Sequence, residues 1–116
     1  MGAMQQMLLA GGAQLNIVIA PTTLTTTAST ATITSPNCGT TVTGGSGTYT
    51  YLWSVSNQTG TKTVLINAAT VSITYFYTTL NSTGTEGICD AICTVTDTVT
   101  GLVAVSNIAN VDLLHT

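Results

Sequence analysis

The 116-residue sequence predicts an all-β domain, and two observations carry this prediction. Threonine makes up about a quarter of the chain, and β-branched residues favour strands over helices. Apolar and polar residues alternate in several stretches, whereas no stretch sustains the 3.6-residue period of an amphipathic helix. Short strands at intervals of about 8–12 residues are typical of a β-sandwich. We therefore predict one sandwich of about seven strands at residues 14–116, preceded by an extended arm at residues 1–13.

The first three predicted strands lie between Gln14 and Thr43. Gln14 to Pro21 alternates apolar and polar residues and ends at Pro21, which has no N–H for a sheet ladder. In a sandwich, the first strand often switches sheets at such a point. A threonine-rich edge strand is predicted over 23–35, and another strand over 38–43. The small residues at 44–47 then predict a turn with positive φ angles.

The middle of the chain is predicted to contain a central strand followed by two others. Tyr49, Tyr51 and Trp53 share one face of a strand over 49–55, because side chains alternate with a period of two. A loop is predicted at 56–60 and a short strand at 63–67. A longer strand over 69–77 is expected to bury Val71, Ile73 and Tyr75 and to expose the hydroxyl side chains between them.

The last two predicted strands follow a loop at 81–87. The strand over 88–99 places Cys89, Ala91, Cys93 and Val95 on one face, and Thr100-Gly101 closes a hairpin. In the final strand, over 102–114, Ser106-Asn107 interrupts the apolar pattern, which predicts a bulge and a change of face.

The low charge of the chain limits the partners that it can bind. It has one Lys and four acidic residues, with a net charge of −3. One cation cannot neutralise a phosphate track, so we expect no nucleic-acid partner, and no apolar run reaches the roughly 18 residues of a membrane span. Interface cores are depleted in charge, which favours a homo-oligomer or lattice neighbours. A secreted domain with hydroxyl-rich strands explains the same composition nearly as well.

The three cysteines allow at most one disulfide bond within the chain. Cys89 and Cys93 lie about 13 Å apart in an extended strand, whereas a disulfide needs Cα atoms about 5.5–6 Å apart. Cys38 therefore pairs with one of them or with neither, and the spacing does not decide between these.

The sequence does not favour an enzyme. Its one histidine, His115, is next to the C-terminus, and Asp97 and Asp112 have no evident catalytic companions. We expect Asp97 to cap the turn before Gly101. No cofactor and no metal site are expected, because the His, Cys and acidic residues lack metal-ligand spacing.

Two segments are candidates for contact with a partner. The arm holds Met4, Met7, Leu8 and Leu9 ahead of a Gly-Gly pair, and we expect these residues to dock in a groove of a partner. A disordered or vector-derived start explains the arm equally well. Phe76 lies between two tyrosines that occupy the other phase, so we predict an exposed aromatic that packs on a neighbour or on a sugar ring. The alternative is that Phe76 covers an edge of the core.

GGSGTYTYLWS at 44–54 and ICTVTDTVTG at 92–101 resemble the immunoglobulin-like and PKD-like domains of tailed-phage virion proteins and bacterial surface proteins. The resemblance covers roughly Leu15 to Leu114. It implies an immunoglobulin-like sandwich in which Cys38 and Cys93 face each other as a disulfide or a packed pair, with Trp53 between them. Tyr51 and Val95 are expected in the same core, and Cys89 competes with Cys93 as the partner of Cys38. Ala91 replaces the tyrosine corner of antibody domains, which disfavours an antibody-type domain.

The resemblance implies a non-enzymatic structural or binding module. We expect an accessory protein of a phage virion that docks on capsid or tail proteins through its arm and makes weak glycan contacts through its loops. The alternative is an immunoglobulin-like repeat of an adhesin at the bacterial cell surface. An initiator Met1 without a signal peptide favours the virion, and a vector-derived arm favours the repeat.

Overall fold

The computed structural model describes residues 14–80 and 82–116 of the chain. Within these residues the secondary structure is all β, as predicted, and contains eleven strands. They are β1 (Asn16–Ala20), β2 (Thr23–Ala28), β3 (Thr32–Thr34), β4 (Cys38–Thr43), β5 (Tyr49–Gly60), β6 (Leu65–Ile66), β7 (Ile73–Thr74), β8 (Phe76–Thr79), β9 (Glu86–Asp97), β10 (Val103–Val105) and β11 (Ala109–His115). The prediction for 1–13 lies outside the described residues.

The strands form three hydrogen-bonded sheets whose buried faces share one core. The first sheet has the order β1-β4-β7, and a small third sheet has the order β3-β8-β6. The second sheet is built around β9, which pairs with β5 along one edge and with β10 and then β11 along the other. Because all three sheets contribute to the same hydrophobic cluster, the described chain is a layered all-β structure of the kind predicted.

The chain changes sheets at Pro21, as the sequence predicts. β1 pairs antiparallel with β4 in the first sheet, whereas β2 pairs parallel with β11 in the second. The threonine-rich stretch that follows was expected to be one edge strand, and this prediction is wrong. It forms β2 and β3, which lie in different sheets because residues 29–31 are not extended.

The central strand β5 is longer than predicted. Residues 56–60 continue the pairing with β9 instead of forming a loop, with a shift of register between Ser56 and Thr59. Asn57 has a φ of 54° there. Asparagine tolerates this left-handed conformation better than most residues, so the polar segment that predicted a loop is instead accommodated as a bulge.

The segment from Ala69 to Tyr77 is two short strands in different sheets, β7 and β8, rather than one. Its predicted buried phase is also wrong. Val71 and Ile73 are exposed, and the buried residues are Thr74, Phe76 and Thr78.

Hydrogen bonding explains why hydroxyl side chains occupy the inner phase of this segment. The Thr74 hydroxyl accepts a hydrogen bond from the Ala68 N–H at 3.1 Å, and the Thr78 hydroxyl donates to the Thr63 carbonyl at 3.0 Å. A hydroxyl can be buried when such a partner is present. The polar phase was therefore an unreliable indicator of the solvent side.

The predicted bulge at Ser106-Asn107 is confirmed. It separates β10 from β11, and the buried phase moves from Ser106 to Ala109, three positions later. The Asn107 amide donates to the Ile19 carbonyl at 3.1 Å and accepts from the Ile19 N–H at 2.8 Å. Asn107 thus occupies the position of a ladder partner for β1 and links the first sheet to the second.

Candidate interaction surface

The residues of the core pair predicted from the resemblance, Cys38 and Cys93, are both in the core with Trp53. Trp53 lies directly opposite Cys93 across the β5–β9 ladder, and both side chains are buried. Cys38, on β4, is buried as well, and its thiol is one of the groups that raise the pKa of Cys93. Cys89 lies opposite Val111 instead. The Cys38 thiol contributes no shift to the pKa of Cys89.

All three cysteines are free thiols in the structure. Burial raises the pKa of each thiol from the ordinary value of 9.0 to about 11. For Cys93 the nearby Cys38 thiol raises the pKa further, while a hydrogen bond involving the Leu52 backbone lowers it. The thiols are consequently protonated at neutral pH, and they pack as small apolar groups rather than as nucleophiles.

The other two predicted core residues differ in depth. Val95 is fully buried, whereas Tyr51 is half-buried and packs against the outside of the core cluster. Both lie on the inner side of the second sheet, opposite each other across the β5–β9 ladder. The period-two pattern thus identified the correct face of β5.

The prediction that Phe76 is an exposed aromatic is wrong. Its side chain is fully buried and meets the Trp53 ring edge-on, with ring centroids 6.0 Å apart and an interplanar angle of 74°. The reason is the inverted phase of β8, which turns Phe76 inward and leaves the flanking Tyr75 and Tyr77 half-buried. Phe76 is part of the core and offers nothing to a sugar or a neighbour.

The predicted docking residues Met4, Met7, Leu8 and Leu9 lie outside the described residues. Gln14, where the described chain begins, lies against the Gly44 backbone, and a Cβ atom on Gly44 would come within 1.7 Å of the Gln14 carbonyl oxygen. Gly44 has a φ of 79°, as the predicted turn requires. The arm is therefore joined to the domain at the end that carries this turn.

Asp97 anchors two turns at that same end and is fully buried. Its carboxylate accepts hydrogen bonds from the N–H groups of Val99 and Thr100, and from both the N–H and the hydroxyl of Ser46. Burial by itself raises the pKa of Asp97, but these hydrogen bonds outweigh it and hold the pKa well below its usual range. The predicted turn cap is confirmed, and the carboxylate is fully engaged in it.

The outer face of the second sheet carries a group of exposed apolar side chains that sequence reasoning missed. We call it the apolar half-face; it consists of Leu52, Ile92, Val103 and Val105. Leu52, Val103 and Val105 are 56%, 59% and 58% exposed, and Ile92 is half-buried. Leu52 and Val105 both lie opposite Thr94, so they flank the same residue of β9. A sheet face turned to water is normally polar, so these side chains are out of place for an isolated domain.

The acidic side chains of the chain, apart from Asp97, lie on the other half of this same outer face. We call Glu86, Asp90 and Asp112 the acidic half-face. The register places Asp90 opposite Asn110, and Glu86 and Asp112 diagonally across the β9–β11 ladder. Since the chain has one Lys and no other fixed cation, the acidic half-face is the main concentration of charge on the surface.

Two different arrangements hold these carboxylates. Asp90 accepts hydrogen bonds from the amides of Asn57 at 2.8 Å and Asn110 at 2.6 Å. Glu86 and Asp112 instead form a carboxyl pair. A hydrogen bond with Asp112 raises the pKa of Glu86, with smaller contributions from burial and from the Asp112 charge. The Oδ1 atom of Asp112 is buried and has no other hydrogen-bond partner among the described residues.

No match was found when the chain was compared with protein-family models, with curated proteins and with solved structures. Within 14–80 and 82–116, no group of three or more His, Cys, Asp or Glu side chains is placed to hold a metal ion. In the same ranges, no helix is long and apolar enough to cross a lipid bilayer.

Proposed function

We propose that this chain is an immunoglobulin-like binding module and that it serves as an accessory protein of a tailed-phage virion. The single observation that carries the first half of the proposal is the strand order. Immunoglobulin-like sandwiches place strands one, two, five and four in one sheet, and strands three, six and seven in the other. The chain supports this order once its interrupted strands are joined.

The correspondence takes β1 and β2 as an interrupted first strand, and β3 with β4 as an interrupted second strand. β5 is then the third strand and β6 the fourth. β7 and β8 together form the fifth strand. It pairs with the second strand through β4–β7 and β3–β8, and with the fourth through β6–β8. β9 is the sixth, and β10 with β11 forms the seventh, so β9 lies between the third and seventh strands. With these joins, the eleven described strands are consistent with a sandwich of about seven strands.

The core supports the same proposal. In immunoglobulin domains a buried tryptophan of the third strand packs against cysteines of the second and sixth. Trp53, Cys38 and Cys93 occupy these strands and are all buried. Fold alone does not specify function, so the virion setting rests on further features.

Three features favour the virion setting. The sequence motifs resemble domains of tailed-phage virion proteins, and the surface is poor in charge, as surfaces covered by neighbours are. The third is the apolar arm, which is joined to the domain beside the Gly44 turn and the β9–β10 hairpin. In the proposed mechanism Met4, Met7, Leu8 and Leu9 insert into a groove between capsid or tail subunits, and the loops at the far end of the domain are displayed.

The docking mechanism is tested by adding purified full-length chain to particles produced without its gene and measuring how much chain pellets with them. The wild type is expected to bind saturably. Leu8→Glu with Leu9→Glu is expected to weaken binding at least tenfold, because burying each leucine contributes about 1.5–3 kcal/mol. Leu65→Glu is the matched control, because Leu65 is an exposed leucine of β6 far from the arm in sequence.

Equal binding of the arm variant and the wild type would refute docking through the arm. Failure of the wild type to bind, together with its recovery from the bacterial envelope, would favour the adhesin repeat instead.

A further inference from the structure

Glu86 is the first residue of β9, and the ends of two other strands are joined to it there. Its carbonyl accepts hydrogen bonds from the N–H groups of Thr61 at 2.6 Å and Lys62 at 3.3 Å, which directly follow β5. On its other side, Leu114 of β11 lies opposite Glu86 in the antiparallel ladder. A change at Glu86 therefore acts where β5, β9 and β11 are held together.

The Asp112 side chain is a neighbour of Glu86 on the outer face of the sheet. Asp112 lies opposite Ile88, two residues along β9 from Glu86, so the two carboxyl groups are diagonal neighbours across the ladder. The Oδ1 atom of Asp112 is buried, and no described residue donates a hydrogen bond to it. A carboxylate oxygen that is withdrawn from water without a donor is destabilising. Asp112 is therefore stabilised by a neighbouring group that can act as a donor.

The other titratable residues around this pair do not fill that role. Asp90, further along β9, already accepts hydrogen bonds from the amides of Asn57 and Asn110. On β11, His115 lies in the inward phase of the strand, and the flanking strand β2 has no titratable residue. Lys62 is exposed and contributes no shift to the pKa of Glu86.

We propose that Glu86 and Asp112 form a proton-dependent clasp between the start of β9 and the end of β11. While Glu86 is protonated, its hydroxyl donates to the Asp112 carboxylate and holds the two strand ends together. When the proton passes to water, two like charges face each other without a donor between them. Like charges on neighbouring strands are destabilising, so the strand ends then separate more often.

The direction of the pH dependence follows from the carboxyl pair. A hydrogen bond with Asp112, burial and the charge of Asp112 all raise the pKa of Glu86 above its ordinary value of 4.5. A group whose pKa is higher in the folded state than in the unfolded state stabilises the fold below the unfolded pKa. This contribution is lost as the pH rises through the folded pKa. The clasp is therefore closed in mildly acidic solution, and its pH dependence is opposite in sign to that of the Asp97 turn cap.

The clasp acts on the end of the domain that lies away from the arm. β9 has 12 residues, and at about 3.3 Å per residue Glu86 lies roughly 36 Å from Asp97. The arm joins the domain at the Asp97 end, so the clasp controls the connections at 61–64 and 82–85. In the virion proposal these connections belong to the displayed end. They are held more firmly in acid than at neutral pH, whether or not the chain is part of a virion.

The first test is a titration of the Glu86 side-chain carboxyl carbon in the full-length, carbon-13-labelled chain, followed by nuclear magnetic resonance. The midpoint in the wild type is expected above the ordinary value of 4.5. Asp112→Asn removes the neighbouring charge and is expected to lower the midpoint. The matched control is Asp90→Asn, which removes a charge from the same face of β9 and is expected to leave the midpoint raised.

The second test measures the opening of the strand ends by amide hydrogen exchange, corrected for the intrinsic rate at each pH. Gly87 and Leu113 lie opposite each other, midway between the two carboxyl-bearing residues. Between pH 4 and pH 7, the protection factors of their amides are expected to fall roughly two- to fivefold more in the wild type than in Glu86→Gln. A surface pair of charges supports a change of this size, and the glutamine amide remains a donor at every pH.

Two outcomes would overturn the proposal. One is a Glu86 midpoint that is the same in the wild type and in Asp112→Asn. The other is a change in the protection of Gly87 and Leu113 that is equal in the wild type and in Glu86→Gln. A merely structural role for Glu86 would alter protection by the same factor at every pH. Neither measurement involves a particle, so the clasp and the virion proposal can fail separately.

Discussion

Replacing Phe76 by alanine tests which side chains of β8 face the core, the point at which the structure departs most from the sequence pattern. The side chain is fully buried and packs edge-on against Trp53. Removing a buried phenylalanine side chain costs about 3–5 kcal/mol, and the lost aromatic pair places the expected value near 4 kcal/mol. Domains of this size are stable by about 5–15 kcal/mol, so this is a large fraction of the total.

The assay is equilibrium unfolding in urea followed by Trp53 fluorescence. With a slope of about 1.3 kcal/mol per M urea, the midpoint is expected to fall by roughly 3 M. The matched control is Ile73→Ala, three positions earlier, because Ile73 is 58% exposed. Its effect is expected to stay within about 0.5 kcal/mol.

A loss below about 1 kcal/mol for Phe76→Ala would refute the assigned phase, and so would a loss of several kcal/mol for Ile73→Ala. Should the alanine variant fail to fold, Phe76→Leu keeps the test available. It retains most of the volume and is expected to cost about 1–2 kcal/mol.

Three further predictions concern the thiols, Asp97 and Asn107. Each cysteine has a pKa of about 11, two units above the ordinary value, which lowers the thiolate fraction at pH 7 about 100-fold. The thiols are therefore expected to react with a thiol reagent at least about 100-fold more slowly in the native protein than after unfolding. Fast labelling of the native protein would contradict the burial of the thiols. The pKa of Asp97 is lowered in the folded state, so its contribution to stability is present above the unfolded pKa of about 3.9 and is lost as pH falls below it. The Asp97→Asn variant is expected to unfold more easily at pH 7 and to lose less stability than the wild type between pH 4 and pH 2. Parallel pH profiles of the two proteins would refute this prediction. Asn107→Ala leaves the Ile19 N–H and C=O without their side-chain partners, so it is expected to lower the free energy of unfolding in urea by about 1–3 kcal/mol. The control is Ile108→Ala, at an exposed neighbouring residue, which is expected to lower it by less than about 0.5 kcal/mol.

The sequence predicts the parts of this fold in which side-chain alternation and backbone constraints agree. Trp53 was assigned to the core because the aromatics of β5 alternate strictly. Pro21 and the glycines at 44–47 constrain the backbone directly, so the change of sheet and the turn were also correct. These features depend on local chemistry, which a single sequence contains.

The errors arise where tertiary contacts reverse a local preference. Thr74 and Thr78 are buried because Ala68 and Thr63 provide hydrogen-bond partners, and neither partner can be identified from spacing. The same inversion buries Phe76. In these positions the polarity of a side chain was a poor guide to its exposure.

The apolar half-face was missed for a related reason. Leu52 lies between Tyr51 and Trp53, so a continuous apolar run concealed that one of its members faces outward. Val103 and Val105 lie in a strand whose buried phase changes at the Ser106 bulge. Only the pairing of β5, β9 and β10 places these side chains on one surface. An apolar residue in the phase opposite to a core aromatic was the signal available in the sequence.

The central functional claim is that this chain is a component of a virion, and the most direct measurement is quantitative mass spectrometry of particles purified from the native source. We predict peptides of this chain at a fixed ratio to the major capsid or tail protein, retained through density-gradient banding and high-salt washing. Absence of the chain from banded particles, with its peptides recovered in the cell-envelope fraction, would contradict the claim.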